Sequence, residues 1–482
     1  MKKQFKSKKS KITKCNKMLN TINNKQNEFI NDDFNKLSEK MNKENKENKD
    51  ALQPDFTETT ESSTHHLPKV KDLYNIVENK ENKDALQPDF TEATEYAAQS
   101  KFACTGSSTH HLPKTKDLYG IVEINDQNFS TKLIKLVEEF GVVVIQNVIL
   151  PTECDLLTEE TIHSLEQISD LKHTDLSTWI PKNLPQQIRP GMFHEVICNI
   201  PSINKIRFHP NIIKIFRTYH THFKENEYKD IDLVVSNDGL NIKPGLVPPF
   251  QSGNDWAHID QVQEANNAYK CIQGQMVLSN TSAGFRASPK SHLLFTDYLT
   301  QKDNTVPKGN FLKFRTEQYP TMREKLEKIG GSWQIKIQAN KGDFIIWTSS
   351  TVHSATLQEK PEYPLKTDKW NGWRHVVFVC YRPRDEYTKK ELRIKYQAFL
   401  ENRVTNHWGT TIFPKGFSNG HGSNKKHDFN KKILDYIENP ENVYKLKGLN
   451  PVLTQEQQIM MGFIPDQDLK KNEASMNKYV TV

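Results

Sequence analysis

Trp256-Ala257-His258-Ile259-Asp260-Gln261 sets an imidazole and a carboxylate two residues apart. On an extended strand, side chains at i and i+2 point to one face. His258 and Asp260 can therefore grip one metal ion from the same side. Two ligands hold a metal loosely, so a third must come from elsewhere in the chain. About ninety residues on, Gly342-Asp343-Phe344-Ile345-Ile346-Trp347 leads to His353, the candidate third ligand. Two imidazoles and one carboxylate, with the other positions open, form the donor set of non-heme Fe(II) oxygenases. Each residue also has a plainer reading. A His-x-Asp pair fits a strand of mutually hydrogen-bonded side chains, and a lone His on an apolar strand fits a satisfied core position. Trp256 and Ile259 argue for burial, where an unpaired carboxylate is costly, and a metal would remove that cost.

A second group of polar residues falls on apolar strands. Arg374 begins the run Trp373-Arg374-His375-Val376-Val377-Phe378-Val379-Cys380-Tyr381. At period 2 it shares a face with Val376, Phe378 and Cys380, and Arg382 lies on that face at the rim. An Arg leading an inward apolar row needs an anion. A guanidinium forks onto a carboxylate through two N–H bonds, so a dicarboxylate chelating the metal at its other end would fit. A salt bridge to a nearby Asp or Glu is the alternative. Gln273 and Gln275 share an inward face with Cys271 and Val277. They are candidates for contacts to a cosubstrate or a metal-bound water, with core hydrogen bonding as the other reading. His220 and His222 fall in a helical pattern, where i and i+2 diverge, and are not expected to chelate together.

These residues need a sheet to position them. Phe129–Phe140 has helical apolar spacing and is closed by Gly141, followed by a strand over 142–148 and a helix opening at Pro151. A third helix is expected over 212–223. From Ile231 the period becomes extended, with candidate strands at 232–237, 256–261, 269–280, 284–287, 332–338, 343–347, 352–357 and 373–382. Eight strands in this order suit a two-sheet jelly roll, a double-stranded β-helix of the cupin kind, mostly β with flanking helices. In that topology the second and seventh strands are neighbours, and these carry His258, Asp260 and His353. The expected organisation is a low-complexity, largely disordered tail over 1–115, a jelly-roll domain over 116–385 and a helical extension over 386–482.

The tail differs in composition from the rest. Residues 1–50 hold 14 Lys and 7 Asp or Glu, which accounts for the whole net charge of +7 and leaves the remainder neutral. A neutral body argues against a nucleic-acid surface on the folded part, so nucleic acid is a candidate partner only through the basic tail. The tail also contains an imperfect duplication: ENKENKDALQPDF occurs at 44–56 and 78–90, and SSTHHLPK at 62–69 and 107–114. Two copies are too few for a solenoid. The pairs His65-His66 and His110-His111 lack further ligands nearby. The 6 Cys form no CxxC pair and suggest no disulfide framework. No apolar run reaches the ~18 residues of a membrane span. A soluble intracellular protein is expected, cytoplasmic rather than nuclear.

The stretch from about Lys132 to Arg382 resembles the phytanoyl-CoA dioxygenase family of Fe(II)/2-oxoglutarate oxygenases. EEFGVVVIQNVILPTEC at Glu138, WAHIDQ at Trp256, SPKSH at Ser288 and GDFIIW before His353 carry the likeness. Lys290 stands where the family's turn has Gly, and the segment from Gln358 to Gly372 is longer than usual. The resemblance implies Fe(II) held by His258, Asp260 and His353, with 2-oxoglutarate as cosubstrate and Arg374 on its distal carboxylate. It implies hydroxylation of a C–H bond with release of succinate and carbon dioxide. Asp260 is retained, whereas related halogenases lack that carboxylate. His292 resembles a structural His of the family. A small-molecule or lipid-like substrate is expected, set by residues 239–254, 303–330 and the C-terminal helices. Two other classes remain open: a catalytically silent jelly-roll binding module tethered by its Lys-rich tail, and a different cupin-type metalloenzyme.

Overall fold

The computed structural model describes residues 118–185, 187–189, 191–193, 196–224, 231–244, 256–262, 266–280, 284–299, 310–355, 370, 372–412 and 431–465. The chain divides into two units, 1–107 and 108–482, and every described residue belongs to the second. The basic tail, the duplication and both His-His pairs lie outside the described residues, as does nearly all of the segment from Gln358 to Gly372.

The strands are β1 (Gly120–Glu123), β2 (Val142–Gln146), β3 (Gln187–Arg189), β4 (Met192–Phe193), β5 (Leu233–Val235), β6 (Leu240–Lys243), β7 (His258–Ile259), β8 (Ile272–Val277), β9 (Phe285–Ala287), β10 (Leu312–Lys313), β11 (Ile335–Lys336), β12 (Phe344–Thr348), β13 (His353–Ala355), β14 (Arg374–Val379) and β15 (Tyr381–Pro383). They form an eight-stranded sheet in the order β1-β2-β12-β8-β14-β6-β4-β3, a five-stranded sheet in the order β10-β7-β13-β9-β11, and a two-stranded pair, β15-β5. β1 and β2 run parallel, whereas β12 is antiparallel to both β2 and β8. The architecture is thus of mixed sheets flanked by helices.

Alternation along the central strands divides the core in two. Val143, Ile145, Ile272, Met276, Phe344, Ile346 and Val377 point to one side, into the larger cluster. There they meet helix α1 (Phe129–Phe140), α2 (Pro151–Ile168), α3 (Pro201–Arg207) and α4 (Pro210–Phe223). Val142, Val144, Val277, Ile345, Trp347 and Val376 point the other way and pack on Phe285, Ala287 and Ile337 from the second sheet's side. Each such side chain taken out of water contributes about 1.5–3 kcal/mol. Val144→Asp would strand a carboxylate between the sheets. Phe399, Val443, Leu449 and Met461 join the larger cluster, so the C-terminal segments share the core of the N-terminal helices.

Gly141 closes α1 as expected. Its φ is +69°, and its backbone N–H donates to Val137 O. A Cβ there would stand 2.3 Å from His292 Nδ1 and 2.5 Å from Thr351 Oγ1. The helix end is thereby packed against Thr351, which leads into β13, and against His292 in the turn after β9. Among the described residues, no helix is long and apolar enough to cross a membrane. Cys154, Cys198, Cys271 and Cys380 are buried free thiols.

Candidate metal centre

β7 and β13 are antiparallel neighbours with His353 directly opposite His258. The two ring centroids are 4.2 Å apart. Asp260 follows β7, held by its backbone N–H on Ser349 O at 2.9 Å. One ligand atom from each of His258, Asp260 and His353 lies within 4.8 Å of the others, and all three residues are buried. Asp260 Oδ2 is 3.6 Å from His258 Nε2 and 3.2 Å from His353 Nε2.

The tautomers follow from the hydrogen bonds. His258 Nδ1 is 2.9 Å from Trp256 O, and His353 Nδ1 is 2.9 Å from Thr351 O. A carbonyl oxygen only accepts, so each Nδ1 carries the proton and donates. In a neutral ring Nε2 then bears a lone pair, and both lone pairs face Asp260 Oδ2, which is also an acceptor. Three electron-rich atoms converging in a buried place could hold a cation between them. Burial, followed by the neighbouring His258, lowers the His353 pKa against the pull of Asp260. Burial would raise the Asp260 carboxyl, but its charged surroundings, the His407 ring first among them, hold it well below the usual range.

Aromatic rings wall the imidazoles. Trp256 stacks on His258 at 4.3 Å between centroids, and Phe311 lies 5.0 Å from the same ring. Trp347 and Phe285 stand 5.3 and 6.0 Å from His353. Phe311 is 43% exposed, so this apolar ring reaches from His258 to the surface.

Arg374 begins β14 and is buried. Among the described residues no carboxylate pairs with it, and its Nε has no hydrogen-bond partner. Burial pushes its guanidinium down to about 10. The guanidinium packs over Gly284, where a Cβ would stand 1.3 Å from Nη1. Lys243 on β6 is in register with Arg374 and is also buried. Burial, then the Arg374 charge, lowers the Lys243 ammonium to about 8. Lys243 has no local signature, because β6 is a four-residue Leu-Asn-Ile-Lys strand with little apolar length. Arg382 also has a partnerless Nε, but it already has a carboxylate: it pairs with Glu386 at 2.5 Å and donates to Trp408 O at 3.3 Å.

The two glutamines differ. Gln273 Nε2 donates to Asp260 Oδ2 at 3.0 Å and Ser349 Oγ at 3.1 Å, which ties it to a triad residue. Gln275 Oε1 is buried without a partner, as are Asn241 Oδ1 and Trp347 Nε1. His292 bonds Glu138 O at 3.0 Å, and burial lowers it to about 4. His220 binds Tyr381 O at 2.7 Å, while His222 lies 3.4 Å from Glu138 on the surface, so the two do not converge.

Sequence reasoning did not find His407. Its Nε2 is 3.2 Å from Asp260 Oδ2 and its Nδ1 is 3.8 Å from Asp238 Oδ2. Burial works against a charge on this ring, but the two carboxylates raise its pKa well above the ordinary value. The next residue, Trp408, donates from Nε1 to Asp260 O at 2.9 Å. No periodicity marks this turn, and its only signal was a His-Trp pair in a polar stretch.

No protein-family model matches the chain. Over 282 residues it is 21% identical to the Ava biosynthesis cluster protein O of Aspergillus versicolor, spanning 56% of this chain and 85% of that one. Among solved structures it is similar to the GlcNAc-inducible gene 2 product of Candida albicans, at 17% identity and a TM-score of 0.41, over 74% of this chain and 86% of that one. It is also similar to the epimerase SnoN, solved in complex with Fe3+, alpha ketoglutarate and nogalamycin RO. There the identity is 14% and the TM-score 0.36, over 54% of this chain and 85% of that one.

Proposed function

We propose that this protein is an Fe(II)- and 2-oxoglutarate-dependent oxygenase, with the two larger sheets as its jelly roll, and that it hydroxylates a C–H bond of a small-molecule or lipid-like substrate. One observation carries the reading: His258 Nε2, His353 Nε2 and Asp260 Oδ2 turn lone pairs toward one another in a buried place. The donor set of two imidazoles and a carboxylate suits Fe(II) with positions left open.

The polar residues on the inner face fit the cosubstrate. Arg374 Nε, Gln275 Oε1 and Asn241 Oδ1 are buried without partners, and such groups are costly unless something satisfies them. A diacid supplies what the arginine lacks. Arg374 would fork onto the distal carboxylate, and Lys243 would add a second positive charge beside it. Gln273 would keep Asp260 turned toward the metal. Bound together, Fe(II) and 2-oxoglutarate supply oxidation of an unactivated C–H bond by dioxygen, with succinate and carbon dioxide released. The protein's part is to hold both, to exclude water and to present the substrate. Trp256 and Phe311 flank the imidazoles with apolar surface, which supports an apolar portion in the substrate. The likeness to a biosynthesis-cluster protein agrees with a small molecule.

The test is succinate release from the full chain loaded anaerobically with Fe(II), then given 2-oxoglutarate and air, beside a His258→Ala control. Succinate from the wild type and none from the control is the expected result. Metal binding without 2-oxoglutarate turnover would point to another metalloenzyme, and failure to bind any metal to a silent binding module.

A further inference from the structure

The turn over 401–412 is fastened to several parts of the chain, the residue following β7 among them. Asn237 N–H donates to Thr405 Oγ1 at 3.0 Å, and Thr405 N–H returns to Asn237 O at 3.2 Å. Trp408 Nε1 holds Asp260 O. The Trp408 ring lies under the Arg382 guanidinium at 4.7 Å and packs with Cys271 and Cys380. Tyr387 Oη donates to Trp408 O at 2.8 Å. A turn fixed at Thr405 and Trp408 leaves His407 little freedom. It sets that ring between two buried carboxylates, Asp238 and Asp260.

His407 stands outside the three-residue cluster that could hold an ion. Its nitrogen instead approaches Oδ2 of Asp260, the same oxygen that receives Gln273 Nε2 and faces His258 and His353. One oxygen of the carboxylate is thus contacted by the Gln273 amide and the His407 ring as well as by the two imidazoles. Asp238 in turn is aimed at the far nitrogen of His407 and also accepts from Ser236 Oγ at 3.2 Å. Partners of metal ligands set ligand orientation, and losing one typically weakens metal binding by about 10–100-fold.

Resting on the metal-site reading above, we propose that His407 is a positioning residue of the metal centre, holding the Asp260 carboxylate toward the ion while Asp238 holds the His407 ring. The segment beyond residue 400 is then part of the metal site.

The test uses the full chain and Co(II) as the probe, following affinity and the visible absorption of the bound ion. His407→Ala is expected to weaken Co(II) binding by about 10–100-fold and to change the absorption, with the metal-free melting temperature kept. His407→Gln, whose amide N–H can reach the carboxylate, should recover part of the loss, and Asp238→Asn should fall between. If His407→Ala fails to fold, His407→Gln decides by the same two readouts. Wild-type affinity and absorption in His407→Ala, or in His407→Gln where the alanine form does not fold, overturn the proposal and leave the metal site standing. Absence of Co(II) binding by the wild-type chain overturns the metal site itself and this proposal with it.

Discussion

His353 faces His258 directly across an antiparallel strand pair, and each ring is turned by a hydrogen bond from Nδ1 to the carbonyl two residues before it. The same local device is used twice. It makes both imidazoles present a lone pair to a single carboxylate, and the following consequences can be measured.

The first concerns Asp260. In the metal-free protein its carboxylate meets two acceptors. Asp260→Asn keeps the shape and gives an amide N–H that can donate to one of them. The metal-free variant is nevertheless expected to melt below the wild-type temperature, because the folded protein favours the Asp260 carboxylate and His407 loses that charge. Its affinity for Fe(II) or Co(II) should fall at least about 100-fold, because an amide is a poor ligand without charge. Thermal melts with and without metal show both effects. The wild type alone should gain about 2.7 kcal/mol when metal is present at about a hundred times its Kd.

Arg374 should govern cosubstrate binding and not the metal. Losing charged hydrogen bonds costs about 1.5–3 kcal/mol. Arg374→Ala is therefore expected to weaken 2-oxoglutarate binding by about 10–100-fold with Co(II) affinity unchanged. Gly284→Ala should reproduce this loss with the arginine still present, since its Cβ would fall 1.3 Å from Nη1 and displace the guanidinium. Calorimetric titration of 2-oxoglutarate into the Co(II)-loaded variants is the measurement.

Three buried histidines predict the acid side of the stability curve. Burial lowers His375 to about 3, and lowers His220 and His292 to about 4, from an ordinary 6.5. Below pH 6.5 the unfolded chain takes up protons that the folded chain refuses. Stability is therefore full above 6.5 and is lost as pH falls toward 4 and 3. Each group contributes about 1.4 kcal/mol per pH unit within that window. His375→Leu should remove one proton from the slope of unfolding free energy against pH. Thr158 Oγ1, which contacts His375 Nδ1 at 2.9 Å, keeps its bond to Cys154 O in that variant.

Lys290 is in the left-handed region at φ +68°, where a side chain costs about 1–2 kcal/mol. Its N–H donates to Phe140 O at 2.8 Å. Lys290→Gly relieves the strain and gives back part of it to the freer unfolded chain. A net gain of about 0.5–1 kcal/mol is expected, read as a higher midpoint in urea with unchanged slope.

The legible parts of the chain were those with a period. Phe129–Phe140 reads as a helix from its apolar spacing and Gly141, and the structure has those bounds. His258, Asp260 and His353 were legible because strand alternation fixes which side chains share a face. β6 was not, since only two of its four residues are apolar, and this hid Lys243 and Asn241. The hairpin of β3 and β4 went unread for the same reason, with strands of 3 and 2 residues. His407 is the sharper case. Its place is set by Thr405 on Asn237 and Trp408 on Asp260, contacts that join distant parts of the chain and leave no local pattern.

Trp408 caps the carbonyl of Asp260 from far along the chain, and this bears on the order of events at the ribosome. His258, Asp260, His353 and Arg374 all emerge before it. A nascent chain can thus display all three residues of the His-Asp-His group before Trp408 is there to hold Asp260. The surroundings of Asp260 are therefore complete only once the chain has been made through Trp408.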